Sequence, residues 1–472
     1  MTQVLTSTKQ PAETHHRRKS RALDVTTGVI WQQLLRLCLP VFLSSFFQQL
    51  QLICNAWVVG QYAGTEDFAA LQATSSLCDI AISFSLGLGI GCSVIVSQYY
   101  GAKRTHEVSR AVHTAMGIAL VAGIFFAVVG YVCSPIMLTM MRTPQQLMQK
   151  SLDFTYLFMI GMVFSLIYNI GSGLQRAVGD TTTPSFVVAT TGIVNAILDI
   201  VFVAGMHLET RGCGYATLIS LIWGAVVTLI CLMRAHGCWK LRLREIRIEY
   251  HYAKKMLLCG FPLAIQGSMF GISNVVIQGS INIFGEAAIA AWGLSNRMVT
   301  FVWMGSDALG SSITTFSAQN FGARNIARMK KGTMTSLIMS ALLVGGGCTI
   351  VLQVAEPFAH FFTHDEEVIA ITLTILMCNA PFMFFYAIMD VFSGAIRGSG
   401  ESLGPMIITI IGTCVLRLIW VGVLEPFHPQ LLLILSSYPI SWSTTAAIFA
   451  LYYLKGNWLR RGAAKRTQKQ AA

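Results

Sequence analysis

Charge is what this chain has least of. Of its 472 residues only 11% are Asp, Glu, Lys or Arg, where a soluble globular domain carries about 25%. That scarcity excludes a disordered chain, a coiled coil and an ordinary soluble enzyme. Cysteine pairs are missing too: no C-x-x-C occurs, and no His/Cys group has zinc spacing. The 12 cysteines are scattered singly, as at Cys54, Cys92, Cys348 and Cys378, in apolar stretches where a thiol is a small packing residue. There is no Gly-Lys pair anywhere, which excludes a P-loop ATPase, and no H-E-x-x-H, since His106-Glu107 is followed by Val-Ser-Arg. No polar segment is long enough for a catalytic domain and no nucleophile–base pattern is found, so the chain reads as a non-enzyme without cofactor. The amino terminus is polar and basic to Ser20 and leads into a long apolar run, unlike a cleavable signal peptide.

Apolar residues, at 54%, fill the space that charge leaves, and mean hydropathy is +0.61. A helix needs about 20 apolar residues to cross a bilayer. Spans are expected near 31–58, 67–98, 108–132, 152–173, 184–206, 213–233, 256–284, 288–317, 333–355, 367–393, 405–424 and 431–454. The net charge of +12 lies almost wholly in alternate connections. Arg17, Arg18, Lys19 and Arg21, then Lys103, Arg104 and Arg110, then Arg234 to Lys255, then Arg324, Arg328, Lys330 and Lys331, and finally Lys455 to Lys469 fall on one side. The other side holds Arg142, Lys150 and Arg211. This distribution predicts a multi-pass protein of the cytoplasmic membrane with both termini cytoplasmic, and it explains the basic charge without nucleic acid. The layout is a basic tail (1–30), a six-helix lobe (31–233), a cytoplasmic linker (234–255), a second six-helix lobe (256–454) and a second basic tail (455–472).

The halves repeat. SQYYGAKR from Ser97 lies over SAQNFGAR from Ser317, with Gly101-Ala102-Lys103 over Gly322-Ala323-Arg324, an offset of 221 residues. QRAVGDTTTP from Gln175 lies over IRGSGESLGP from Ile396, so that Arg176, Gly179 and Pro184 meet Arg397, Gly400 and Pro405 at the same offset of 221. Six spans per repeat makes the repeats parallel, with a pseudo-two-fold axis along the membrane normal and a cavity between the lobes, the geometry of a secondary transporter.

An acid at mid-span costs about 2.5–3.5 kcal/mol on insertion scales and is a functional candidate by default. Asp79, Asp199, Asp307 and Asp390 lie within apolar runs, as do Arg297 and Arg417. Asn195 precedes Asp199 by one helical turn, offering an amide oxygen and a carboxylate to Na⁺, or a protonatable site. Tyr386 stands in the same relation to Asp390. By the repeat offset Asp390 lies over Asn169 and Asp199 over Trp420, so the lobes carry their acids at different places. Asp79 and Asp307 have no companion that singles them out, and Arg297 or Arg417 is available as a partner for the acids. Arg176 and Arg397, beside Gly and Pro, read as topological charges at helix ends. Gly87, Gly89 and Gly91, and again Gly345, Gly346 and Gly347, mark close helix approach, while Pro40 and Pro381 should kink their spans.

The paired Gly-Ala loops, QRAVGDTTTP and AIRGSGES within a duplicated twelve-span layout resemble the multidrug and toxic compound extrusion (MATE) family over about residues 30–455. The resemblance implies an all-α, V-shaped membrane protein of two six-helix repeats. It further implies an antiporter that exports small organic cations in exchange for Na⁺ or H⁺, with no obligate protein partner. Asn195, Asp199 and Thr217 match the family's amino-terminal cation site, Pro40 matches the proline at which span one bends, and Asp390 with Tyr386 matches a second acidic site. Fifteen positions after the proline, where an acid is usual, this chain has Asn55. The span-seven glutamate of the second site has no counterpart between Phe261 and Phe284. A lipid-linked oligosaccharide flippase shares the architecture and would need a strongly cationic cavity.

Overall fold

Long apolar stretches with no polar partner outside the backbone can be satisfied in a bilayer only by helices, and helices are what form. The computed structural model describes residues 22–141, 143–424 and 430–467. The expected basic residues Arg17, Arg18, Lys19, Arg21, Arg142 and Lys469 lie outside the described residues.

The first half comprises α1 (Ile30–Tyr62), α2 (Thr65–Gly101), α3 (Thr105–Met140), α4 (Gln145–Ala177), α5 (Thr182–Asp199) and α6 (Glu209–Met233). The second comprises α7 (Tyr250–Asn282), α8 (Glu286–Gly322), α9 (Ile326–Phe362), a span broken into α10 (Glu366–Asn379) and α11 (Met383–Gly398), a span broken into α12 (Leu403–Thr409) and α13 (Leu416–Leu424), and α14 (Leu431–Lys455). A short helix, α15 (Trp458–Thr467), follows and buries Trp458 against Tyr453. Eleven of the spans are long and apolar enough to cross a membrane by length and composition. The twelfth, α8, is equally long but carries Asn296, Arg297 and Asp307.

The repeat is visible in the backbone. Left-handed turns occur at Gly64 and Gly285, at Lys103 and Arg324, and at Gly179 and Gly400, each pair 221 residues apart. Gly179 in the first conserved-spacing motif turns tightly against Leu23, whose carbonyl a Cβ would meet at 2.5 Å. The loops near residues 102, 179, 234–249, 323 and 400 share one end of the bundle, called here the basic end; those near 63, 141, 207, 284 and 364 share the far end.

The first helix of each half packs across to the second helix of the other. Gly87 and Gly91 of α2 let α7 in so closely that a Cβ would lie 2.5 Å from Ala264 N and from Gly260 Cα respectively. The glycines expected to mark close approach do so in α2; in α9, Gly345 and Gly346 face nothing within 4 Å, and only Gly347 approaches a neighbour, Val302 at 3.1 Å. Pro40 lies inside a continuous α1. Pro381, which cannot donate a helical hydrogen bond, sits in a 3-10 turn (Ala380–Phe382) that separates α10 from α11. Spans five and eleven each contain a wider i→i+5 turn, at Ile200–Gly205 and Ile410–Val415, features with no sequence signal.

The linker between the halves is docked onto the first lobe. Trp239 and Leu241 are buried, His113 Nε2 accepts from the Arg242 amide at 3.0 Å, and Arg110 of α3 pairs with Glu249. That guanidinium holds the Glu249 carboxyl below the usual glutamate range.

Candidate functional site

The basic ends of α2 and α8 close the bundle with a two-fold arrangement. A Cβ on Gly101 would lie 2.0 Å from Gln319 O, and one on Gly322 would lie 2.0 Å from Gln98 O. Glycine is required at both places because backbone meets backbone. Gln98 Nε2 donates to Gly398 O at 2.9 Å and Gln319 Nε2 to Ala177 O at 2.9 Å, again quasi-equivalent partners. Arg328 adds hydrogen bonds to Thr27 O, Gly28 O and Gln33 Oε1 at 2.8–2.9 Å. The paired Gly-Ala motif is therefore a closure, and the cleft between the lobes opens toward the far end. There Ser83 still lies against Gly267, at 2.9 Å from a Cβ, whereas one turn further out Gly271 meets nothing within 4 Å.

One polar cluster lies in the first lobe. Asp199 and Asn195, both 0% exposed, project from the last turns of α5, where the helix widens. With its amide nitrogen facing the acceptors, Asn55 of α1 donates to Asp199 Oδ2 at 2.6 Å, to Asn195 Oδ1 at 2.9 Å and to Gln51 O at 3.0 Å. Gln51 Nε2 also donates to Asn195 Oδ1 at 2.9 Å. The Cys213 thiol of α6 lies against Asp199 and the Thr217 hydroxyl, which brings Thr217 to the edge of the group. Pro40 stands further along α1, where its carbonyl accepts from Ser44 and Ser185 at 3.0 and 2.5 Å. Asn55, Asn195, Asp199 and Thr217 thus form one neighbourhood, with a single carboxylate whose Oδ1 has no hydrogen-bond partner among the described residues.

The second lobe holds a richer cluster. Asp390 of α11 sits over Gly310 of α8, where a Cβ would lie 1.8 Å from Asp390 Oδ2. Its Oδ1 accepts from Arg397 Nη2 at 3.3 Å, and its Oδ2 is unpartnered among the described residues. Tyr386 does not bond Asp390 one turn away; its hydroxyl reaches past and donates to Asp307 Oδ1 at 3.4 Å. Trp303 and Trp442 wall this group, with ring centroids 4.2 and 6.2 Å from Tyr386.

These placements revise the pairing expected from sequence. The arginine that serves Asp390 is Arg397, two turns along the same helix, not Arg297 or Arg417. Arg397 is a member of the cluster rather than a topological charge. Asp307 belongs to the site as well; the usable signal was its three-residue spacing from Gly310 on α8, which places both near one face. Arg417, only 3% exposed, is held by Ser441 at 2.8 Å and by the Tyr438 ring at 4.0 Å. It occupies the place in the second lobe that matches Ala196 in the first, beside the Trp420 that replaces Asp199. The acid site of one lobe therefore coincides with an arginine in the other. No group of three or more His, Cys, Asp or Glu with metal-holding geometry occurs among the described residues.

Known proteins share the fold. The family model named MatE matches residues 40–201 and again 262–421, one match per lobe. The chain belongs to the MATE family. MATE proteins are transporters, and the duplicated matches account for the internal repeat. The chain is 26% identical over 437 residues to the probable multidrug resistance protein YoeA of Bacillus subtilis, covering 88% of this chain and 94% of that protein. It is 20% identical over 396 residues to the multidrug export protein MepA of Staphylococcus haemolyticus, covering 83% and 87%. A solved structure described as an outward-facing conformation of a multidrug resistance MATE family transporter superposes with a TM-score of 0.86 at 17% identity, covering 94% of this chain and 98% of that one. The expected fold, an all-α membrane protein of two six-helix repeats, is the one observed.

Proposed function

We propose that this MATE protein is a secondary antiporter that exports small organic cations across the cytoplasmic membrane, driven by Na⁺ or H⁺ entering through the same cleft. The basic end is the cytoplasmic one by the positive-inside rule. The structure is then closed inside and open outside, like the structural relative described as outward-facing. Relatives named for multidrug resistance and export support the direction and the class of cargo.

The observation that carries the reading is the charge count of the second-lobe cluster. The cluster has two carboxylates and one arginine: Arg397 pairs with Asp390, and Asp307 accepts only from the Tyr386 hydroxyl among the described residues. With both acids ionised the group is short of one positive charge, which a proton, a Na⁺ or a cationic substrate can each supply. Two cations crowded into one low-dielectric cluster repel, so binding one expels the other, and that exclusion is the physical basis of exchange. Asp199 with Asn195 gives the first lobe one carboxylate and one amide oxygen, both already accepting from Asn55, a poorer Na⁺ site than one with two carboxylates. The second lobe is therefore assigned the coupling. No cofactor is required, because the ion is cargo. A flippase of lipid-linked oligosaccharides is disfavoured because the accessible acids Asp79 and Asp307 outnumber the one accessible arginine, Arg297, on the facing walls of α2 and α8.

Purified protein in liposomes loaded with a fluorescent organic cation, under separate Na⁺ and H⁺ gradients, tests this. Transport should follow one gradient and fall at least tenfold in Asp390→Asn and Asp307→Asn, with a smaller loss in Asp199→Asn. Undiminished gradient-driven transport in the Asp307→Asn, Asp390→Asn double variant would overturn the assignment.

A further inference from the structure

Three charges at membrane depth remain once both carboxylate clusters are assigned, and one of them, Arg417, is held by Ser441 and the Tyr438 ring. Asp79 of α2 and Arg297 of α8 are exposed, and neither has an ion-pair or hydrogen-bond partner among the described residues. Asp79 precedes Gly101 by 22 residues and Arg297 precedes Gly322 by 25, close to six and seven whole turns, so both stand on the faces by which α2 and α8 meet at the basic end. The helices α2 and α8 begin in register at Thr65 and Glu286, so Asp79 is quasi-equivalent to Thr300, and Arg297 to Ser76. At about 1.5 Å per residue the two charges sit roughly 21 and 16 Å along their helices from the far ends, within one turn of the same level.

The closed basic end supplies the rule for how these two helices meet. Gly101 touches Gln319, the quasi-equivalent of Gln98, and Gly322 touches Gln98 itself. A residue of one helix therefore meets the counterpart of the residue three positions before it. Applied to the far ends, the same crossing sets Asp79 against the counterpart of Ser76, which is Arg297. In the present state the walls are apart: Gly271 and Gly293 face nothing within 4 Å, and Arg297 borders a cavity between α1, α8 and α9.

We propose that Asp79 and Arg297 form the ion pair that seals the far end of the cleft when the basic end opens. Closing the walls expels water, and a lone charge caught there is strongly unfavourable, whereas a charge with its counter-ion is tolerated. Each residue alone opposes closure, and the two together permit it. The inference rests on the alternating-access reading above, and it assigns roles to two charges that the coupling clusters leave out.

The test is a charge-reversal cycle in liposomes, comparing wild type, Asp79→Asn, Arg297→Gln and the reversal Asp79→Arg with Arg297→Asp. Each single variant should slow transport of the cationic dye roughly tenfold or more, and the reversal should return it to within about threefold of wild type. Because both side chains are unpartnered in the present state, the variants should melt like wild type. A reversal as slow as the singles, or a single variant at the wild-type rate, overturns the pair. Hydrogen exchange supplies a readout independent of cargo. Peptides from 65–80 and 286–300 should lose protection in the single variants and regain it in the reversal, and identical protection in all four proteins overturns the pair. If wild type moves no dye under either gradient while the exchange pattern holds, the antiport reading fails and the gate stands.

Discussion

The α2–α7 seam and the α8–α1 seam occupy quasi-equivalent places in the two halves, and they are built differently. On the first, Gly87, Gly91 and Gly260 bring two backbones into contact. On the second, where Pro40 lies over Pro262, the corresponding residues are Ala308, Ser312 and Cys38. Side chains hold these helices apart, and a cavity of about 550 Å³ opens beside them, lined by Leu35, Leu39, Phe42, Phe301 and other apolar residues. Cys38 is buried as Gly260 is, so the seams differ in the bulk between the backbones and not in exposure. One seam is thus packed backbone to backbone and the other side chain to side chain. A duplicated chain need not pack symmetrically, and α1 is the helix with a cavity beside it.

The largest effect is expected from filling the tight seam. Gly91→Ala sets a methyl against Gly260 backbone that cannot yield, and should cost on the order of 3 kcal/mol, whereas Ser312→Ala at the matching place should stay within about 1 kcal/mol. Thermal melting of the two variants in one detergent measures the contrast. A smaller effect is expected from the basic-end closure, where each hydrogen bond is worth about 1 kcal/mol: Gln98→Ala removes one, and Gln319→Ala removes two, since Gln319 Oε1 also accepts from the Val25 amide at 3.2 Å. Either should raise the population open at the basic end, read as faster hydrogen exchange at 97–104 or 317–325, with the larger effect in Gln319→Ala because its second bond to Val25 has no counterpart at Gln98. Smaller still is Arg397→Gln, which frees Asp390 from its internal counter-ion. This variant should bind the coupling cation more tightly and release it more slowly, separating the second lobe from the first, where no arginine competes.

The smallest concerns the linker. Glu249 is held below its ordinary range by Arg110. Its contribution is complete above the ordinary glutamate pKa and disappears as pH falls through the lowered folded value. Linker protection at 234–249 should therefore fall on acidification below the ordinary glutamate range, and Arg110→Gln should weaken the linker at neutral pH and flatten that dependence.

Much of the fold was legible because its signals are collective. Twelve apolar stretches, alternating basic loops and one constant offset each involve many residues, and together they yielded the spans, the repeat and the family. The Gly101 and Gly322 motifs were legible as a repeat but not as a closure, since the meaning of a glycine depends on which backbone approaches it. The second-lobe site was half legible. Asp390 and Tyr386 stand one turn apart in sequence, but the Tyr386 hydroxyl goes to another helix, and a long arginine two turns away takes the place expected of a cross-helix partner. Asn55, at the position where the resemblance implies an acid, donates instead to the one carboxylate present, Asp199. The widened turns after Asp199 and before Arg417 left no trace in the sequence, because they depend on how neighbouring helices pack.

The most direct test is equilibrium competition in nanodiscs. The affinity of wild type for a fluorescent organic cation should fall as Na⁺ concentration rises or as pH falls, whichever ion couples, and that dependence should vanish in the Asp307→Asn, Asp390→Asn double variant. An affinity that falls just as steeply in the double variant would contradict exchange at these carboxylates.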